Sequence, residues 1–160
     1  MSSVNLFAPR NVLFIPDFDF GDGGESADKL LIILHANDQD GYIIFALTTS
    51  QQKIPDDRLN HGWTNSADKL FSFFLFIKDR VIGKKSNGSP FSFDLNTFVF
   101  IRDNIRMQEN SSFLTYMRGR VRVVGVLEDD EFRRLLKCIY KSNHIKLKIK
   151  KEFDKHSISN

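Results

Sequence analysis

Between residues 29 and 50 the chain reads KLLIILHA, then NDQDG, then YIIFALTTS. Two apolar runs joined by so short a turn have to be antiparallel neighbours. Gly41 closes the turn and can take the positive φ that hairpin loops demand. The first run, 29–36, is apolar at nearly every position rather than at alternate ones, the pattern of a strand buried on both faces. This hairpin is the element that most restricts what the chain can fold into.

Other segments follow the same logic. NVLFIPDF (11–18) is expected as a first strand, and GDGGESAD (21–28) as a loop rich in glycine and acid. Pro55 followed by two acids in IPDDRLNHGW (54–63) suits a single helical turn. DKLFSFFLFI (68–77) reads as a strand with Phe71, Phe73, Leu75 and Ile77 on one face. KKSNGSP (84–90) is a loop and TFVFI (97–101) a further strand. In RGRVRVVGV (118–126), Arg118, Arg120 and Arg122 alternate with Gly119, Val121 and Val123, which marks a half-exposed strand.

One helix is expected, over 128–142. Phe132, Leu135, Leu136, Ile139 and Tyr140 fall at the spacings of a single buried stripe. Glu128, Asp129, Asp130 and Glu131 crowd its start and Lys137 and Lys141 its end, complementing the helix dipole. Beyond it, IKLKIKK (145–151) alternates strictly and suits either a lysine-defended edge strand or a docked tail.

The chain has 160 residues, a hydrophobic fraction of 41% and a charged fraction of 27%, the profile of one globular domain. The fold class expected is mainly β, a small antiparallel barrel over about 10–126 closed by the C-terminal amphipathic helix at about 128–142, with a basic tail over 143–160. No apolar run reaches the ~20 residues of a membrane helix, and no export signal is evident at the N-terminus. The single cysteine, Cys138, cannot form an internal disulfide, which fits a cytoplasmic location. Net charge is only +3, but acids gather in the first third and Arg and Lys in the last, giving one face able to hold phosphate.

Four blocks, in order, carry a likeness to a known family. NVLFIPDFDFGDG (11–23), KLLIILHANDQDGYIIFALTTSQ (29–51), TFVFIRDNIRMQ (97–108) and GRVRVVGVLEDDEFRRLLKCIYKS (119–142) resemble the opening strand and loop, hairpin, later strand and closing helix of the MazF/PemK ribonuclease toxins. The resemblance covers about half the chain. It implies an SH3-like barrel acting as a homodimer, and metal-independent cleavage of single-stranded RNA by attack of the ribose 2′-hydroxyl on the adjacent phosphate. It also implies a protein partner, such as an antitoxin. The family's Arg-Pro pair is replaced here by Lys29 and Leu30. The segment 52–96 is longer than the family carries, and the tail after 143 is extra.

By that resemblance the catalytic residues are Lys29 and Thr49. A cation and a hydrogen-bond donor must meet a phosphate whose charge grows in the transition state. Lysine supplies a point charge where arginine would supply a bidentate fork. RNA contacts are expected from Ser50, Arg102, Arg106, Arg118, Arg120 and Arg122. Phe98, Phe100, Tyr116 and Trp63 are stacking candidates if exposed. The loop from Asp17 to Asp28 is a candidate lid whose acids repel phosphate. Without the Arg-Pro pair the alternative stands open: a module that kept the fold, lost the chemistry and serves as a protein-binding subunit, favoured if Phe71–Phe76 form an exposed apolar patch.

No cofactor or metal is expected. His35, His61, His144 and His156 are scattered, and one cysteine cannot build a zinc site. VIGKKS (81–86) lacks the upstream glycine of a phosphate-binding loop, and no Gly-x-Ser-x-Gly elbow occurs.

Overall fold

The computed structural model describes residues 5–18, 27–50, 60–65, 72–110, 121–142 and 145–156. Strands β1 (Asn11–Phe18), β2 (Ala27–Asn37) and β3 (Tyr42–Leu47) form an antiparallel meander. Gly41 closes the β2–β3 turn at φ 72°, its N–H bonded to the Asn37 carbonyl at 2.8 Å. The continuous apolar runs are explained by burial on both faces. Ile32, Ile44 and Ala46 point into the larger core, while Leu31, Ile33, Phe45 and Leu47 join Leu13, Ile15 and Phe18 on the opposite side.

A second, smaller sheet is built from β4 (Gly62–Asn65), β5 (Ser72–Phe76) and β8 (Thr97–Phe100), in the order β4-β5-β8. The meander is extended on one side by β10 (Arg122–Leu127) and then by β6 (Gly83–Lys84) and β7 (Pro90–Phe91). On the other side it is extended by β9 (Ile105–Glu109). The order of this seven-stranded sheet is β7-β6-β10-β1-β2-β3-β9. Every pairing in both sheets is antiparallel.

The expected closed barrel is not what the strands make. Among the described residues the edges β7 and β9 do not pair, and the sheets meet through one isolated bridge between Thr49 and Phe98. The reason lies in the segment 97–109. It runs as β8 in the small sheet, turns through the short helix α1 (Ile101–Asn104) and continues as β9 beside β3. The Phe100 N–H, bonded to Asn104 Oδ1 at 2.9 Å, fixes this corner. One segment thus serves two sheets instead of sealing one.

The larger core lies between the seven-stranded sheet, the inward face of the small sheet (Phe74, Phe76, Val99) and the C-terminal helices. Phe91 and Phe93 stack edge to face at 5.3 Å. Phe91 lies so close over Gly125 that a Cβ there would stand 2.5 Å from its ring, so β10 needs glycine at that point. Helix α2 (Asp129–Lys141) matches the expected amphipathic helix, burying Phe132, Leu135, Leu136 and Ile139. Its first-turn acids pair forward with Arg133 at 2.8 Å and Arg134 at 3.2 Å.

The tail is not an edge strand. It folds as helix α3 (Leu147–His156) and docks on the larger core through Ile149 and Phe153, with Ile145 packed alongside. IKLKIKK satisfies both periods, since Ile145 and Ile149 are also four apart, and Phe153, four further on and outside those seven residues, shares the helix face of Ile149. Leu147, which alternation would place with Ile145 and Ile149, is 65% exposed.

These placements carry a paired prediction. Phe153→Ala, at a fully buried ring, is expected to lower unfolding free energy by about 3–5 kcal/mol in urea titrations. Leu147→Lys is expected to change it by less than about 0.5 kcal/mol, an order that an edge strand would reverse.

Candidate functional site

Lys29 and Thr49 are brought together by strand register. Leu31 stands opposite Leu47, and the Thr48 N–H and Oγ1–H both donate to the Leu30 carbonyl, at 3.2 and 2.8 Å. Carrying that register one pair further sets Lys29 across from Thr49, on the same face. Thr49 then exchanges two backbone hydrogen bonds with Phe98, at 2.9 and 2.8 Å, which pins the end of the hairpin to the small sheet.

Lys29, Thr48, Thr49, Phe100, Asp103 and Asn104 line a cavity of about 300 Å³. A neighbouring cavity of about 260 Å³ again contains Lys29 and Thr48, now with Ser50, Asp28, Asp94 and Thr97. Lys29 therefore stands between two concavities. It is half-buried, and burial pushes its pKa below the ordinary lysine range, because an ammonium loses hydration as it leaves water. The two cavities also hold the carboxylates Asp28, Asp94 and Asp103. Asp28 Oδ1 accepts the Asp17 N–H at 3.0 Å.

The remaining expected site residues disperse. Arg102 lies on α1 outside the linings of both cavities, exposed and 4.0 Å from Asp103. Arg106 is on β9 opposite Phe45 and lines a separate cavity with Lys146 and Lys148. The Arg122 guanidinium lies 4.8 Å from the centre of the Phe14 ring. Phe14 pairs with Leu30 and Arg122, while Lys29 pairs with Ile15, so Arg122 is on the face of the sheet away from Lys29. Arg118 and Arg120 lie outside the described residues, as do Tyr116, Phe71, most of the acidic loop and the helical turn expected after Pro55.

Of the stacking candidates, Phe98 is fully buried, Phe100 is half-buried in the cavity wall, and Trp63 is 39% exposed. The Trp63 indole N–H donates to Ser72 Oγ at 2.9 Å. Phe73, Phe74, Leu75 and Phe76 are buried rather than exposed. Alternate residues of β5 face different clusters, so this aromatic run forms no open patch.

A second polar cluster escaped the sequence. His61 Nε2 stands 3.0 Å from both carboxylate oxygens of Glu131, and Arg80 approaches the same carboxylate at 3.9 Å. The Ile77 N–H donates to His61 Nδ1 at 3.3 Å, so Nε2 carries the proton and donates to Glu131. Both ring nitrogens are thereby engaged, which makes the pair a tie between β4, the end of β5 and α2. The one available sequence signal was that Glu131 stands four residues before Leu135, on the buried stripe, where a carboxylate must find a partner. Burial alone would raise the Glu131 pKa, but the hydrogen bond from His61 and the nearby charges of Arg80 and Arg134 together hold it below the ordinary value. Cys138 is buried, and its thiol pKa is pushed up by desolvation.

Among the described residues no group of three His, Cys, Asp or Glu side chains is arranged to hold a metal ion, and no helix is long and apolar enough to cross a membrane. Comparison with protein-family models, with curated proteins and with solved structures finds no match to this chain.

Because the folded-state pKa of Glu131 is depressed, its contribution to stability is complete above the ordinary value of 4.5 and is lost as pH falls below it. Glu131→Gln is therefore expected to lower stability at neutral pH and to flatten the acid limb of the stability profile. Urea midpoints measured across that range in both proteins check this.

Proposed function

We propose that the chain is a divergent MazF/PemK-like module whose pocket around Lys29 and Thr49 binds single-stranded RNA and cleaves it without metal. The observation that carries this reading is the shared cavity of about 300 Å³ that both residues line. Lys29 supplies the cation for a bridging phosphate, and the Thr49 hydroxyl supplies a donor for the oxygen that gains charge as the ribose 2′-hydroxyl attacks. On this reading Ser50, in the neighbouring cavity, and the exposed Arg102, next to the cavity-lining Asp103, would contact adjacent phosphates. A homodimer and an antitoxin-like partner belong to the same reading, as does the family's barrel, of which the open seven-stranded sheet would be a splayed variant.

Incubation of the purified protein with unstructured RNA in the presence of chelator tests it. Cleavage is expected, reduced about a hundredfold by Lys29→Ala and also reduced by Thr49→Val, with urea midpoints showing both variants folded. Since burial lowers the Lys29 pKa, RNA affinity is expected to fall as pH rises through a value below the ordinary lysine range. Lys29→Arg is expected to keep binding intact to higher pH, because guanidinium stays charged.

One observation favours the second reading, a catalytically silent protein-binding subunit. Asp28, Asp94 and Asp103 share the two cavities with Lys29, their single cation among the described residues, and like charge repels phosphate. An intact protein that neither binds nor cuts RNA selects this alternative.

A further inference from the structure

The helix that extends past the toxin-like closing segment makes a groove with the sheet edge. Strand β9 ends the seven-stranded sheet, and among the described residues it pairs only with β3. Beside it lie two cavities of about 500 and about 460 Å³ that share Met107, Gln108 and Lys148, so they form one continuous groove. All residues from Ile105 to Glu109 line it. Successive strand side chains point to opposite faces, so a groove touched by consecutive residues follows the backbone edge of the strand.

The opposite wall is α3 with the residue before it. Lys148, Lys151 and Lys155 recur at i, i+3 and i+7, one face of the helix, and Lys146 continues the row. All four are exposed. Lys155 engages Asp40 at 3.8 Å, whereas Lys146, Lys148 and Lys151 form no ion pair among the described residues. The Glu152 carboxylate in the same wall is already taken by Asn37 Nδ2 at 3.2 Å and approached by His35 at 3.8 Å. The groove floor holds Met107 and buried Ile149. Gln108 Oε1 is buried there with no hydrogen-bond partner among the described residues, and a buried acceptor of that kind calls for a donor.

We propose that this groove receives an acidic, extended peptide segment of a partner protein, which adds to β9 as a further strand. A strand edge offers N–H and C=O groups in the alternation a peptide backbone returns, the lysine row neutralises its carboxylates, and a backbone or side-chain donor satisfies Gln108. Nucleic acid fits less well. Among the described residues the groove's one aromatic ring is Tyr42, whose hydroxyl accepts from Asn37 Nδ2 at 3.2 Å, and single-stranded nucleic-acid sites rely on open stacking surfaces. Lysines that merely guard an edge sit on the edge strand itself. Here they stand across a groove, on a helix. The proposal is independent of whether the Lys29 pocket cuts RNA.

The test uses the full chain and a fluorescein-labelled peptide of about eight residues, alternating Glu and Val. Carboxylates on one side of such a strand are about 7 Å apart. Saturable binding by anisotropy is expected, weakened at least about tenfold when Lys146, Lys148 and Lys151 are all changed to Glu. An alternating Lys–Val peptide is expected to bind that reversed variant instead. Amide exchange within residues 105–109 should slow on binding, and N-methylation of alternate peptide bonds should abolish it. The single variant Lys148→Glu, at the point both cavities share, gives a smaller loss in the same direction and guards against misfolding of the triple variant. No saturable binding overturns the proposal, as does binding indifferent to charge reversal. Oligouridine that binds more tightly than the peptide with the same variant dependence also overturns it, in favour of a nucleic-acid groove.

Discussion

The β2–β3 hairpin is apolar on both of its faces, and a sheet with no polar side must be covered twice. On one side the cover comes from the small sheet and from α2 and α3, whose Phe74, Phe76, Leu135, Ile139 and Phe153 complete the larger core. On the other, Leu13, Ile15 and Phe18 of the adjoining β1 stand beside Leu31, Ile33 and Phe45 on the same face, and Leu6 and Phe7 from the N-terminal turn pack against them. Burying such side chains is worth about 1.5–3 kcal/mol apiece against full exposure, which is why so many otherwise separate elements converge on one hairpin. The placement of Lys29 and Thr49 follows from it. They stand where the hairpin's apolar pattern ends and polar groups can again reach solvent.

What could be read from the residues depended on how local the cause was. The hairpin and its Gly41 turn were legible because adjacent residues determine them. Helix α2 was legible because its stripe and charge gradient agree. Helix α3 was not, since seven alternating residues fit two periods, and only Phe153, beyond the window, decides between them. Strand β9 was hidden by its polar sequence IRMQE and by the helical corner before it. The open architecture could not be foreseen because it rests on one segment dividing itself between two sheets.

The same distinction holds at the candidate site. Lys29 and Thr49 share a cavity because hairpin register carries them there. Arg106 and Arg122 were both expected to contact RNA, but sheet position sends Arg106 to one edge and Arg122 to the face away from Lys29. His61 and Glu131 were invisible as a pair, being seventy residues apart. A buried carboxylate without a partner would cost several kcal/mol, and only the fold shows which histidine answers it.

Thr49 has two duties. Its backbone is the sole ladder rung joining the two sheets among the described residues, and it belongs to the wall of the cavity beside Lys29. The angle between the sheets and the shape of that cavity are therefore one mechanical variable. Whatever fills the hollow bears on the seam, and whatever strains the seam bears on the hollow. By linkage, an occupant that prefers the closed seam must raise the resistance of the small sheet to local opening by the same free energy that the seam lends to its binding.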